Sequence, residues 1–160
     1  MTILGISVGT TRTGIAVIKN GVLLSREMHN FDAVWSKKKL NAIIKLYRHY
    51  VEKAEVTGII IKVPPLSKHD KPIKSIIRGI ERLALKYGCE HDYITKREIK
   101  ERMALRRTDE LIKFTLKIYP NLGSLPENRT NNYRNYSTKL YEAVLSAHLF
   151  YKRQLMKIPE

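Results

Sequence analysis

The chain begins in a two-residue rhythm. Residues 3–8 and 13–19 alternate or run β-branched and aliphatic, and Gly9-Thr10-Thr11-Arg12 joins them. This reads as two strands about a tight glycine turn. Lys19-Asn20-Gly21-Val22 is a two-residue hairpin signal, because Asn-Gly tolerates positive φ at both central positions. A third strand over 22–28 therefore lies antiparallel to the second. The period then lengthens. Leu40, Ile43, Ile44, Tyr47, Val51 and Ala54 recur at helical spacing, with Asn41, Lys45, Arg48 and Glu52 on the other side. "GIIIKVPP" predicts a short buried strand over 58–63, stopped by Pro64-Pro65. Ile73, Ile76, Ile77, Ile80, Ala84 and Tyr87 mark a second helix, with Gly88 where a C-cap glycine belongs.

"CEHDYI" predicts a fifth strand, and Thr95-Lys96-Arg97-Glu98 has the capping-box spacing that starts a third helix. Thr108 can cap a fourth, running to Tyr119 and ended by Pro120, and a last helix covers roughly 138–154. A three-strand meander, then helix–strand–helix–strand, then helices predicts an α/β fold. Its sheet is mixed and five-stranded, an antiparallel meander plus two parallel strands. The first strand is central, and helices cover both faces. Without repeats or a low-complexity linker, residues 1–160 read as a single domain.

Composition narrows the setting. The 160 residues are 43% hydrophobic, enough for a packed core. No apolar run has the length of a membrane span, and the N-terminus lacks the basic and apolar regions of a secretory signal. The lone Cys89 allows no internal disulfide and suits a reducing compartment. The expected location is cytoplasmic. Charge changes the picture most: 30 Lys and Arg against 15 Asp and Glu leave +15. Part of that is an ordinary solvated surface. A twofold excess of one sign still costs self-repulsion, and nucleic acid is the partner it fits. A membrane surface fits less well, for want of a basic amphipathic helix with bulky apolar anchors.

"ILGISVGTTRTGIAVI" resembles the first hairpin of the RuvC-like and YqgF-like branch of the ribonuclease-H-like superfamily. That pattern is a strand ending in Asp, then Gly, a polar pair, a basic residue, and Gly before the second strand. Gly5, Gly9, Thr10, Arg12 and Gly14 match, and Ser7 replaces the Asp. The order of elements matches throughout. "YITKREIKERMALRRTDELIKFTLKIYPNL" resembles the region before the last helix of RuvC-type Holliday junction resolvases. The resemblance implies a ribonuclease-H-like fold, a structured-DNA partner and a homodimer.

Active members cut phosphodiesters with two divalent ions held by carboxylates. The resemblance places those acids at the ends of the first and fourth strands and early in the last helix. The matching positions here are Ser7, Lys62 and the segment Lys139–Glu142, in which only Glu142 is an acid. Two hydrated dications need hard oxygen ligands, and an ammonium at Lys62 repels them by several kcal/mol relative to a carboxylate. No metal is expected, and the catalytic positions read as degenerate. Lys62 is either a strand-end lysine reaching solvent or an ammonium in the metal's place, paired with Glu142. Helical phase sets Glu142 off the Leu140–Val144–Ala147–Tyr151 stripe. His29, His49, His69, His91 and His148 show no metal-ligand spacing with each other or with Cys89.

What remains is a binding surface. Thr10, Thr11 and Arg12 offer hydroxyls, a guanidinium and turn N–H groups to a phosphate, or form a plain hairpin turn. Lys37-Lys38-Lys39 reads as a solvated run. "KREIKERMALRR" gathers Lys96, Arg97, Lys100, Arg102, Arg106 and Arg107 in one short helical stretch. The segment 128–136 reads as a loop in which Arg129 and Arg134 alternate with Tyr133 and Tyr136, a mixture that can stack bases or lid the core.

The expected function is a non-catalytic nucleic-acid-binding protein. Three alternatives stay open. One is a Mg-dependent endonuclease with relocated carboxylates, using Asp70 or Asp92 beside Glu142. Another is nucleotide binding, since the hairpin also looks like the phosphate loop of actin-like ATPases. The last is a dimeric interaction module.

Overall fold

The computed structural model describes residues 1–124 and 131–157; for 123–124 and 131–137 it describes the backbone alone. The strands are β1 (Thr2–Ser7), β2 (Arg12–Lys19), β3 (Val22–Asn30), β4 (Gly58–Lys62) and β5 (Glu90–Ile94). The helices are α1 (Lys37–Ala54), α2 (Lys71–Tyr87), α3 (Lys96–Arg102), α4 (Thr108–Ile118) and α5 (Asn131–Met156), with 3-10 turns at Leu66–Lys68 and Pro120–Ser124. The strands form one mixed sheet in the order β3-β2-β1-β4-β5, with β1 central, as the pattern predicts. β2 and β3 run antiparallel to their neighbours, and β4 and β5 run parallel to β1. The hairpin between β2 and β3 turns at Asn20 (φ 50°) and Gly21 (φ 85°).

Alternation along the strands sorts the core into two layers. Leu4, Ile6, Ile15, Val17, Ile59 and Ile61 face α1 and α2, with Ile43, Tyr47, Ile76 and Ile80 in the same cluster. Ile3, Ala16, Ile18 and Ile60 face the other way and pack with Ile99, Leu111, Val144, Ala147 and Phe150. By the same alternation Gly5, Ser7 and Lys62 lie on the α5 side. Gly5 is required there: a Cβ would meet Ala143 O at 2.3 Å, so α5 rests directly on the backbone of β1. Gly14 plays the same part on β2, where a Cβ would stand 2.5 Å from Lys139 O.

Three local expectations change. The basic stretch is not one helix. α3 ends at Arg102, and Ala104 adopts φ 55°, so Arg106 and Arg107 lie in the link to α4. The N-cap of α4 is Arg107 rather than Thr108, which is already helical. Charge anchors that end, because Asp109 and Glu110 occupy the first turn, favourable for the helix dipole, and Arg107 pairs with both, at 3.5 and 3.4 Å. Finally, α5 begins at Asn131, so 131–136 is helical backbone rather than loop; those residues include no Gly or Pro to stop it.

Candidate nucleic-acid interface

β1 and β4 pair in parallel with Ser7 opposite Lys62, so both reach the same edge of the sheet. α5 crosses that edge with Lys139 and Glu142 on successive turns. Ser7, Lys62 and Glu142 therefore come to one end of the sheet. Lys62 Nζ stands 2.7 Å from Glu142 Oε2, and Lys96 Nζ, from the start of α3, lies 3.7 Å from Oε1. Glu142 is only 3% exposed and Lys62 8%. The Lys62 contact is an ion pair without hydrogen-bond alignment, for Oε2 has no hydrogen-bond partner among the described residues. Glu142 is buried despite its place off the apolar stripe, because α5 is enclosed on every side from Leu140 to Ala147.

Lys139 takes a part that its place in the sequence does not announce. Its position reads only as a missing acid, yet its Nζ donates to Val8 O at 3.0 Å. Burial, then the charges of Lys62 and Arg12, push its ammonium down to about 8, with Glu142 pulling the other way. The sequence hints at it by spacing alone: Lys139 stands three residues before Glu142, on one helix face. Beneath the turn runs a buried chain in which Tyr47 OH donates to Thr13 Oγ1 (2.9 Å) and Thr13 Oγ1 donates to Ser7 O (2.9 Å). It holds the end of β1 from the opposite layer. Lys39 is not merely solvated, since its Nζ donates to Phe31 O and Ala33 O, at 2.9 and 2.6 Å.

Of the expected binding residues, Thr10, Thr11, Arg12 and Lys96 belong to this edge of the sheet. Arg97 is exposed and paired with Glu101 at 3.0 Å, and Lys100 lies on α3 with its side chain half-buried. Arg106 is exposed in the α3–α4 link, and Arg107 is occupied by Asp109 and Glu110. Arg129 lies outside the described residues, as do the side chains of Tyr133, Arg134 and Tyr136.

The donors at this edge do not fit a pair of divalent ions. Among the described residues, the single carboxylate there is in contact with an ammonium, Ser7 contributes a neutral hydroxyl, and Lys62 and Lys139 bring positive charge. Asp70 does not complete a cage: its carboxylate caps α2, accepting from Ile73 N at 2.9 Å. Asp92 is bound by Arg153 at 2.5 Å, eleven residues along α5 from Glu142, or about 16 Å of helix. Among the described residues no three His, Cys, Asp or Glu side chains come together as a metal site.

No protein-family model matches the sequence, and no curated protein matches it. Solved structures do. Thermus thermophilus RuvC in complex with a Holliday junction substrate superposes with a TM-score of 0.73 at 18% identity, covering 96% of each chain. A second Thermus thermophilus RuvC structure gives 0.71 at 16% identity with the same coverage. The fold is RuvC-like. At these identities the likeness is one of architecture, and it extends over nearly the whole chain. A RuvC-like sheet with β1 at its centre brings Ser7, Lys62 and Glu142 to one edge, and that edge carries net positive charge. No helix among the described residues is long and apolar enough to cross a membrane.

Proposed function

We propose that this chain binds the phosphate backbone of structured DNA, four-way junctions included, and does not cleave it by metal-dependent chemistry. The observation that carries the reading is the Lys62–Glu142 contact of 2.7 Å at the end of the central strand. A carboxylate already neutralised by an ammonium is a poor ligand for a dication. The net charge of +15 and the RuvC-like fold support a nucleic-acid partner. In this reading the glycine turn, Lys96 and Lys139 touch one phosphate track, and Arg97, Lys100 and Arg106 extend it along the surface. A homodimer would present two such tracks to one junction. A cytoplasmic setting accords with the buried free thiol of Cys89.

Titrating a fluorescent four-way junction from low to moderate salt tests the mechanism. Log affinity should fall linearly with log salt, as counterion release requires. A flat response removes the electrostatic mechanism. Incubating the same junction with Mg²⁺ or Mn²⁺ should give no product. Metal-dependent cleavage that Glu142→Ala abolishes would establish a nuclease instead.

A further inference from the structure

Among the described residues, the end of β1 carries more positive charge than its surroundings balance. Lys62, Lys96 and Lys139 share one carboxylate among the described residues, that of Glu142, and Arg12 adds its own repulsion to Lys139. An ammonium has three hydrogens, and Lys139 gives one of them to Val8 O. Two remain for a ligand, on a side chain that is only half-buried. Ser7 Oγ is buried with no hydrogen-bond partner among the described residues, a state that costs free energy unless something supplies one. The backbone N–H groups of Gly9, Thr10 and Thr11 likewise donate to no backbone acceptor among the described residues. Gly9 lets the turn close on itself beside the ammonium, since a Cβ there would meet Arg12 O at 2.3 Å and Lys139 Nζ at 2.9 Å.

Surplus ammonium charge, unused N–H donors on a tight turn and an unpaired hydroxyl together form the complement of one oxyanion. We infer that this edge is a metal-free phosphate subsite, in which Lys139 and the Gly9–Thr11 turn hold the non-bridging oxygens of a nucleic-acid phosphodiester while Lys62 supplies charge from behind. The inference rests on the nucleic-acid reading above and deepens it, naming the groups that hold one phosphate and requiring no divalent ion for that contact. Lys62 stays with Glu142, so it acts through its field, whereas Lys139 makes the contact.

The test separates the subsite from the general reading. In EDTA, inorganic phosphate is titrated into the ¹⁵N-labelled protein against chloride at matched ionic strength. Phosphate should move the amide signals of Gly9, Thr10 and Thr11, and chloride should not. Equal shifts with both anions, or none with phosphate, overturn the subsite without any variant having to fold. Junction binding in EDTA is then measured for Lys139→Gln and Lys139→Arg, each first checked for folding by its melting temperature. Lys139→Gln should bind about tenfold more weakly or worse, the scale of one hydrogen bond to a charged group, and Lys139→Arg should recover most of the loss. Wild-type affinity in Lys139→Gln overturns the subsite. Phosphate shifts at the turn with no affinity for any nucleic acid would keep the anion site and refute the nucleic-acid reading, pointing to a free phosphate ligand.

Discussion

Among the described residues, helix α5 carries ion pairs at two places, and they differ in kind. Near its middle, Lys62–Glu142 is buried between sheet and helices, with further ammonium groups crowding it. Near its end, Arg153–Asp92 lies partly open to water, and Arg153 also stacks over Phe150 at 5.0 Å. Burial would raise the Asp92 carboxyl, but Tyr93 N–H, Arg153 and Arg102 hold it below the usual range. The second pair is an ordinary surface clasp. The first has no comparable justification in stability, because desolvating two charges offsets most of their attraction. A buried ion pair in the middle of a positive cluster is better explained by the charge it holds at the end of β1 than by bracing.

The largest effect should come from breaking the buried pair. Glu142→Gln leaves Lys62 buried without its counter-charge and should cost about 3–5 kcal/mol in urea unfolding. Lys62→Met with Glu142→Leu should recover most of that loss, which a bracing role would not allow. Next comes the close contact that sets the helix in place. Gly5→Ala forces a methyl against Ala143 O and should cost about 1–3 kcal/mol or more, with weaker junction binding as α5 moves off the edge. Asp92→Asn, at the exposed pair, should cost no more than about 1 kcal/mol. If Asp92→Asn and Glu142→Gln cost the same, the contrast between the two pairs fails.

The subtlest effect is in pH. Lys139 is held down to about 8 in the folded protein, against roughly 10.4 for a free lysine. Between those values the unfolded chain binds more protons, so this residue's contribution to stability rises with pH across that window. Below it, the full penalty of the partly buried ammonium applies. The difference in unfolding free energy between wild type and Lys139→Met should therefore change between pH 8 and pH 10. A constant difference would mean that Lys139 titrates as a free lysine.

Much of the architecture was legible because its signals are local. Asn20-Gly21, Gly88 and the Thr95/Glu98 capping box each act within a few residues, and each appears where the sequence implies it. The strand order followed from connection lengths and period. What was not legible depended on distant partners. The left-handed Ala104 that ends the basic helix carries no Gly or Asn to announce it. Lys39 reads as surface charge until Phe31 and Ala33 bring their carbonyls to it. Lys139 was legible as a residue but not as a participant, because its role depends on Val8, 131 residues away. Glu142 was found by position, although its burial was not, since α3 and α4 close over a face that periodicity alone assigns to solvent.

The central proposal is that the end of β1, where Lys62, Lys96 and Lys139 gather about Glu142, carries ammonium charge and does not hold divalent ions. The most direct measurement is the melting temperature with and without Mg²⁺ at constant ionic strength, for wild type and for Ser7→Asp with Lys62→Glu. Wild type should be indifferent to the ion, and the double variant should be stabilised as binding to the native state demands. Stabilisation of wild type by Mg²⁺, with none in the double variant, would contradict the account.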